Sequence, residues 1–406
     1  MRKSENNLPS KMQTVFAEFF AERSDLAGYF GNYTSHGFWI WANTYGGFLD
    51  ERVRAVIAPF PPSESMSCGS NDDSERQFAL SGASYYDLME KILNSMGTSW
   101  DETSVVLDFG CGIGRVSRLF ARHAAVQRFF GCDLYDAAIQ WLRNELGFGE
   151  FMTGFTEPPL PLEDKSLDVI FSISVFTHLK AASQTAWLNE FRRVLKPGGI
   201  LFQTVHGRHA MRLCNHYEQW RNAINVTPDN FDILGREFNE KGFSWVPYEN
   251  MPIVNNDYGV SFQTEQYIQS HWTKGFELLG VWAGMIDGWQ DLVALRASDV
   301  VRIDPVWPNE SHKPVESISL EAPSEAEIGQ VIRLRATVVG GEEVHYKFYV
   351  AEGGNFFRPI TEWQQGADLE FTPWLPINHC IVVHAASGPG MHSVPDVAAG
   401  CEIHVR

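Results

Sequence analysis

The stretch Val105-Val106-Leu107-Asp108-Phe109-Gly110-Cys111-Gly112-Ile113-Gly114-Arg115 decides the fold of this chain. Apolar residues run into an acid, and three glycines follow at alternate positions. This pattern predicts a buried parallel strand, a tight glycine loop and a helix from Arg115 to about His123. Glycines allow the backbone to approach a ligand closely, and a helix N-terminus offers free N–H groups to an anion. The stretch therefore predicts a binding loop.

A second strand ending in an acid supports that interpretation. Arg128-Phe129-Phe130-Gly131-Cys132-Asp133 places Asp133 19 residues after Gly114, close to the roughly 20 residues typical of a ribose-binding carboxylate. The alternative is a surface acid that happens to follow a strand. The G-x-G-x-G spacing is neither the G-x-G-x-x-G dinucleotide fingerprint nor a Walker loop, which needs Gly-Lys-Ser/Thr.

Together these stretches resemble class I S-adenosylmethionine-dependent methyltransferases, in which strand 1 ends in an acid and alternate glycines and strand 2 ends in an acid. Later stretches extend the resemblance: Pro159 to Ile170 leads into strand 4, Ser174 to Leu179 forms the loop after it, and Arg193 to Gly199 forms the turn before strand 5. The resemblance implies an enzyme with S-adenosyl-L-methionine as cofactor and S-adenosyl-L-homocysteine as product.

The fold class expected is α/β, a Rossmann-like doubly wound sheet with a second, all-β sandwich domain. Alternating strands and helices imply a parallel sheet covered on both faces, and the resemblance implies the strand order 3-2-1-4-5-7-6. The expected domains are an N-terminal helical or lid segment (1–100), the cofactor-binding core (101–300) with an acceptor-side insertion (206–275), a linker (301–315) and the sandwich (316–406).

The resemblance also assigns cofactor-binding roles. The residues concerned are Asp108, Gly110, Cys111, Gly112, Gly114, Asp133, Leu134, Phe155, Thr156, Ser174 and Val175. The glycine loop and Asp108 would hold the methionine end of the donor, and Asp133 both ribose hydroxyls. Leu134 and the stretch after strand 3 would flank the adenine, where Thr156 replaces the usual aspartate. Ser174 and Val175 would border the methyl group.

Two histidines are the catalytic candidates. A base is needed only if the acceptor is a protonated nucleophile such as a hydroxyl. His178 lies in the loop after strand 4 and His206 ends strand 5, so both are predicted near the carboxyl edge of the sheet. The alternative for each is a structural histidine.

The N-terminal region offers weaker candidates. Tyr85 and Tyr86 lie in a predicted helix from Phe78 to Leu93, in a segment that often closes over the donor in related enzymes. Trp39 and Trp41, in an aromatic and glycine-flanked stretch, would either cover a substrate or pack this segment onto the core. We favour packing.

The C-terminal region changes character after Asp304, where Pro305, Pro308 and Pro314 predict a linker. Short alternating strands then predict a β-sandwich. Gly340-Gly341 followed by Tyr346 and Phe348, then Trp363 and Phe371-Thr372-Pro373, resembles the triple-tyrosine type of immunoglobulin-like domain. Such a domain implies contact with a partner or another copy of the chain.

Composition narrows the function classes. The formal net charge of −18 argues against a broad phosphate-binding surface, so we expect no nucleic-acid partner, and no Asn/Asp-Pro-Pro-Tyr motif follows strand 4. No apolar run is long enough for a membrane span. Six scattered cysteines predict reduced thiols in a cytoplasmic protein. We expect no metal, because His379 and His384 have no cysteine pair nearby.

The leading hypothesis is methyl transfer to a small molecule or a glycan, at a hydroxyl. The alternatives are a nicotinamide dehydrogenase, which the glycine spacing disfavours, a non-catalytic protein that binds the donor or serves as a scaffold, and a methyltransferase acting on a protein side chain. The acceptor atom is left open by the sequence.

Overall fold

A computed structural model describes residues 10–22, 35–62, 65, 74–124, 127–248, 258–298, 315–352, 358–361, 363–373, 378–387 and 397–406. These residues fall into two compact units. The first takes in the described residues within 1–175, 185–202 and 296–298, and the second those within 176–184, 203–295 and 299–406. The predicted linker with Pro305, Pro308 and Pro314 lies outside the described residues.

A seven-stranded sheet carries the predicted binding loop. Its strands are β1 (Val105–Phe109), β2 (Arg128–Asp133), β3 (Gly149–Thr153), β4 (Leu167–Ser172), β5 (Leu195–Val205), β8 (Phe276–Ile286) and β9 (Gln290–Ala297). They lie in the order β3-β2-β1-β4-β5-β9-β8, which confirms the expected 3-2-1-4-5-7-6. β1 pairs in parallel with both β2 and β4, so the loops after these three strands meet at one edge.

Helices precede and flank these strands. They are α1 (Ser10–Glu22), α2 (Ser35–Trp41), a π-helical turn (Ala42–Gly46), α3 (Gly47–Leu49), α4 (Glu51–Arg54), α5 (Ser74–Ser95), 3₁₀ turns at Trp100–Glu102 and Ser117–His123, α6 (Asp136–Glu145) and α7 (Ala181–Val194). The helix predicted from Arg115 is a 3₁₀ helix, and it starts two residues later, at Ser117. Gly110, Gly112 and Gly114 all have positive φ, which keeps the chain in turns up to Val116.

Trp39 fixes the N-terminal segment to the core. Its side chain is buried, and its indole N–H donates to the carbonyl oxygen of Leu119 at 2.9 Å. Trp41 is also buried and its ring contacts those of Phe16 and Phe19. These contacts favour the packing interpretation of the aromatic stretch over a substrate cover.

The insertion after β5 has its own core in the second unit. It contains α8 (Arg208–His216), α9 (Glu218–Ala223), α10 (Pro228–Lys241), β6 (Phe243–Pro247), β7 (Gly259–Gln263) and α11 (Glu265–His271). β6 and β7 form an antiparallel hairpin sheet. Phe238 and Phe262 are buried together, and Trp220 stacks on Trp289 with ring centroids 4.6 Å apart and planes within 8°.

The C-terminal region is all-β, as expected. Its strands are β10 (Val315–Glu321), β11 (Glu325–Ala326), β12 (Ile332–Gly340), β13 (His345–Glu352), β14 (Arg358–Pro359), β15 (Asp368–Phe371), β16 (His379–Ala386) and β17 (Val397–Val405). They form a three-stranded sheet, β10-β12-β15, and a five-stranded sheet, β11-β17-β16-β13-β14. Alternate residues such as Leu334, Phe348 and Ile381 face a shared core, because side chains alternate along a strand.

Candidate active site

The glycine loop is tied to the end of β2. Gly110 and Cys111 both donate their backbone N–H groups to the carbonyl oxygen of Cys132, at 2.8 and 3.0 Å. A Cβ on Gly110 would overlap the Val175 side chain, whereas a Cβ on Gly112 would meet nothing within 4 Å. Gly112 thus borders open space, and only glycine takes its φ of +53° without strain. The Cys111 side chain is buried.

Asp133 joins the two loops that the sequence places around a ligand. Its Oδ2 accepts the Gly112 N–H at 2.8 Å and its Oδ1 accepts the Tyr135 N–H at 2.9 Å. The carboxylate is therefore fixed by backbone donors and half-buried. Leu134 and Tyr135 are exposed, at 43% and 61%, so Leu134 presents an uncovered apolar surface next to Asp133.

Asp108 is buried at the end of β1, where a carboxylate loses the solvation by water. Its pKa is raised to about 7, chiefly by burial; the hydrogen bond from Ser117 opposes the shift, and the charge of Asp133 makes a smaller contribution to it. Ser117 Oγ donates to Asp108 Oδ2 at 2.6 Å. A cation placed beside Asp108 would stabilise its ionised form.

Two further predicted site residues have strained backbones. Phe155 and Ser174 have φ values of +80° and +59°, in the left-handed region that non-glycine residues rarely adopt. They follow β3 and β4, and such strain concentrates at binding sites. Thr156 is exposed beside Phe155, and Val175 packs against Gly110.

These residues fit the donor that the resemblance implies. Gly112 leaves room that a Cβ would fill, its N–H group is aligned by Asp133, and Asp108 is a buried acid that a cation would ionise. Of the polar groups of S-adenosylmethionine, the ammonium is complementary to Asp108 and the two ribose hydroxyls to Asp133. Asp108 and Asp133 would hold these groups, and the loop of Gly110 and Gly112, whose N–H groups are already bonded to Cys132 and Asp133, would leave room for the donor.

His178 is half-buried in the second unit, among aromatic rings. Its Nδ1 lies 3.0 Å from the carbonyl oxygen of Gly259, and because a carbonyl can only accept, Nδ1 carries the proton. Tyr258 stacks on the imidazole at 4.6 Å, and Trp245 donates its indole N–H to the His178 carbonyl oxygen at 3.0 Å. Burial lowers the pKa of His178, so the neutral ring has its lone pair on Nε2.

His206 has the same tautomer but is more deeply buried. Its Nδ1 lies 3.1 Å from the carbonyl oxygen of Ser261, and its ring contacts Phe262 and Trp289. Burial lowers its pKa to about 3, with a further contribution from His178. A base so reluctant to take a proton is weak, and this environment favours a structural role for His206.

The sequence did not reveal the two backbone carbonyl oxygens that hold the imidazoles of His178 and His206. Gly259 and Ser261 are alternate residues of β7, so their carbonyl oxygens point to the same side of the strand. No motif marks this strand; the only signal was the density of aromatic residues in the insertion.

Asp291 is a second feature that the sequence did not reveal. It is buried on β9, where its Oδ1 accepts the Gly284 N–H at 2.9 Å and its Oδ2 lies against Gly207. Burial raises the pKa of Asp291 well above its usual range, with Glu265 as the next contribution. The carboxyl lies beside Gly207, the residue that follows His206 in the chain.

The other candidates have structural positions. Tyr85 and Tyr86 are buried in the core of the first unit, and Tyr86 Oη lies 2.6 Å from His123 Nε2; neither side chain is exposed as a lid would require. In the sandwich, the His384 ring contacts Tyr349 and, across 5.8 Å, His209 of α8. Among the described residues, no group of three or more His, Cys, Asp or Glu is placed to hold a metal ion.

No helix in the described part of the chain combines the length and apolarity needed to cross a bilayer.

The glycine loop lies in a region that is similar to a known protein family. Residues 107–203 match the family described as "Methyltransferase domain". The match begins inside β1 and ends inside β5, so it contains the glycine loop, Asp133 and His178.

Named relatives match over part of the chain. A malonyl-[acyl-carrier protein] O-methyltransferase of Yersinia pestis is 36% identical over 107 residues, which are 25% of this chain and 36% of that protein. A demethylmenaquinone methyltransferase of Thermotoga maritima is 33% identical over 130 residues, 29% of this chain and 56% of that protein.

A tRNA N(3)-methylcytidine methyltransferase of Drosophila melanogaster is 28% identical over 113 residues, 26% of this chain and 35% of that protein. The chain thus spans less than two thirds of the length of each of these relatives, and their named acceptors differ in kind.

Proposed function

We propose, from the premise that residues 107–203 belong to the class I S-adenosylmethionine-dependent methyltransferases, that the whole chain catalyses methyl transfer to a small-molecule or glycan hydroxyl. The donor assignment rests on the hydrogen bond from the Gly112 N–H to Asp133 Oδ2, which joins the two proposed ligand-binding loops.

The donor supplies an electrophilic methyl group on a positively charged sulfur. Asp133 would accept hydrogen bonds from the ribose hydroxyls, Asp108 would face the ammonium, and Leu134 would flank the adenine, with Phe155 and Thr156 at its edge. Ser174 and Val175 would border the methyl group. Positioning and the exclusion of water then supply much of the rate.

His178 is the proposed base. Methyl transfer onto a hydroxyl oxygen forms a C–O bond, breaks a C–S bond and releases the hydroxyl proton, which Nε2 of His178 would accept. The neutral ring, its Nδ1 proton held by Gly259, leaves Nε2 as the acceptor. His178 follows Val175 by three residues along the chain. His206 is retained as the second candidate base.

The hydroxyl and the class of acceptor rest on composition and on the insertion. A net charge of −18 disfavours a polyanionic acceptor such as tRNA, and the half-buried rings of Tyr248 and Tyr258 beside His178 suit a small organic acceptor. The proposed location is the cytoplasm, and the sandwich is proposed to contact a partner or a second copy of the chain.

Two measurements test this function. Calorimetry should give micromolar or tighter binding of S-adenosylhomocysteine and none of NAD. Mass spectrometry should detect a methylated product when the protein, labelled donor and a metabolite extract are combined. Binding of NAD in place of S-adenosylhomocysteine would refute the donor assignment, and label appearing only in an RNA fraction would refute the acceptor class.

A further inference from the structure

The hydroxyl of Ser261 links the strand that holds both histidines to the loop that carries His178. Ser261 Oγ donates to the carbonyl oxygen of Phe176 at 2.9 Å, two residues before His178. The Ser261 backbone carbonyl accepts the Nδ1 proton of His206. One buried residue thus contacts both histidine-bearing segments.

The link is part of a short ladder. Gly259 accepts from His178 Nδ1, Leu179 bridges to Tyr258, and Gln263 donates its backbone N–H to the His206 carbonyl oxygen at 2.9 Å. The loop around His178 is a single 3₁₀ turn, Phe176–His178. Such a turn has few internal hydrogen bonds, so its position depends on bonds to neighbouring segments.

We propose that Ser261 is a positioning residue for methyl transfer, which holds the His178 loop so that Nε2 faces the acceptor hydroxyl. This inference rests on the proposed function for its kinetic consequence only. Its structural part, the tautomer and environment of His178, is measurable without turnover.

The surroundings of His178 determine the expected readout. Tyr248 Oη lies 3.4 Å from Nδ1, Tyr258 covers one face of the ring, and His206 is a further titratable group that interacts with His178. Among the described residues, no carboxylate contributes to the pKa shift of His178, whose largest cause is burial. If the loop loosens, burial decreases and the pKa of His178 should rise toward the usual histidine value of about 6.5.

The neighbouring hairpin strand provides a matched control. Ser244 of β6 is also fully buried, and its hydroxyl has no hydrogen-bond partner among the residues that the structure describes. Ser244→Ala and Ser261→Ala therefore remove the same atom from adjacent strands, but only the second change breaks a bond to the His178 loop.

The test is nitrogen NMR of histidine-labelled protein, with resonances assigned from His178→Gln and His206→Gln. In the unmodified chain both rings should be protonated on Nδ1 near pH 7. Ser261→Ala should raise the apparent pKa of His178 and lower kcat at least about threefold with unchanged S-adenosylhomocysteine affinity, whereas Ser244→Ala should change none of these.

An Nε2-protonated His178, or an unchanged His178 titration in Ser261→Ala, would overturn the positioning role. If the titration changes as expected but neither variant nor parent transfers methyl groups to any extract component, the proposed function fails and the structural link stands.

Discussion

Gly112 donates its backbone N–H to Asp133 Oδ2 at 2.8 Å, so the loop after β1 and the loop after β2 share one hydrogen bond. Gly112 follows β1 and Asp133 ends β2, and these two strands are parallel neighbours. The acid therefore has two functions in our proposal, to align the loop and to bind the donor.

Asp133→Ala should weaken S-adenosylhomocysteine binding by about 1.5–3 kcal/mol, the range for hydrogen bonds to a charged group. The fold should stay intact because this carboxylate is half-buried at the edge of the sheet. Calorimetry measures the effect. Asp136→Ala is the control, since Asp136 accepts from Thr153 and not from the glycine loop. Normal donor binding by Asp133→Ala would contradict the assignment.

Donor binding near pH 7 should release a proton. The pKa of Asp108 is raised to about 7, and the donor's ammonium would lower it again, so binding should tighten as pH rises through 7. Without ligand, the raised pKa of Asp108 stabilises the folded protein. This stabilisation is fully present below about pH 3.9, the pKa of an aspartate in the unfolded chain, and it is lost as the pH rises through about 7. Calorimetry in buffers of different ionisation enthalpy measures the release. Asp108→Asn should show none; buffer-independent heats in the parent chain would count against the prediction.

His178→Ala should lower kcat at least about tenfold, since general-base help is typically worth about 10²–10⁴-fold, with donor affinity nearly unchanged. The rate should fall with acidity only below about pH 6.5, because the pKa of His178 is lowered.

His206→Ala should chiefly reduce stability. A pKa near 3 means that burial of neutral His206 stabilises the fold above about pH 6.5, and this stability is lost as pH falls toward 3. Steady-state kinetics and thermal melts separate the two roles; full activity in both variants would exclude histidine catalysis.

Gly82→Ala in α5 should destabilise the protein although alanine favours helices by about 1 kcal/mol. A Cβ at Gly82 would overlap the carbonyl oxygen of Arg115, directly after the glycine loop, and donor affinity should fall with stability. Gly235→Ala in α10 is the control, because a Cβ there meets nothing within 4 Å, and it should stabilise. Urea unfolding checks both signs. Stabilisation by Gly82→Ala would mean that α5 does not approach the loop so closely.

A chain ending near Val301 should fold and bind S-adenosylhomocysteine, because the proposed donor residues all lie in the first unit. It should melt at a lower temperature. Removing the sandwich exposes Met285, whose sulfur lies 3.8 Å from Tyr349 Oη, and His209, which contacts His384. Calorimetry and a thermal melt measure both properties. Loss of binding would show that the sandwich supports the donor site.

The parallel strands and the binding loop were predictable because they depend on local patterns. The run from Val105 to Gly114 specifies a strand and a turn by itself, and its spacing to Asp133 follows from one crossover. The strand order was expected from the family resemblance and is confirmed by the structure. The 3₁₀ helix after the loop was not predicted, since helical periodicity does not distinguish it from an α-helix.

The links around His178 and His206 could not be predicted for a different reason. Gly259 and Ser261 act through backbone carbonyl oxygens, which any residue possesses, so sequence gives no sign of them. The burial of Tyr86 was likewise hidden, because its ring contacts Trp100, Phe120 and His123, which come from later parts of the chain.

The parallel stack of Trp220 on Trp289 has an optical consequence. Two indoles 4.6 Å apart have transition dipoles close enough to couple, so the pair should contribute an exciton couplet to the far-ultraviolet circular dichroism that isolated indoles lack. The chain has 13 tryptophans, yet this signal depends on contact between α9 and the residue just before β9. The couplet is therefore a spectroscopic marker for the packing of the insertion, and it can be measured in solution without a label.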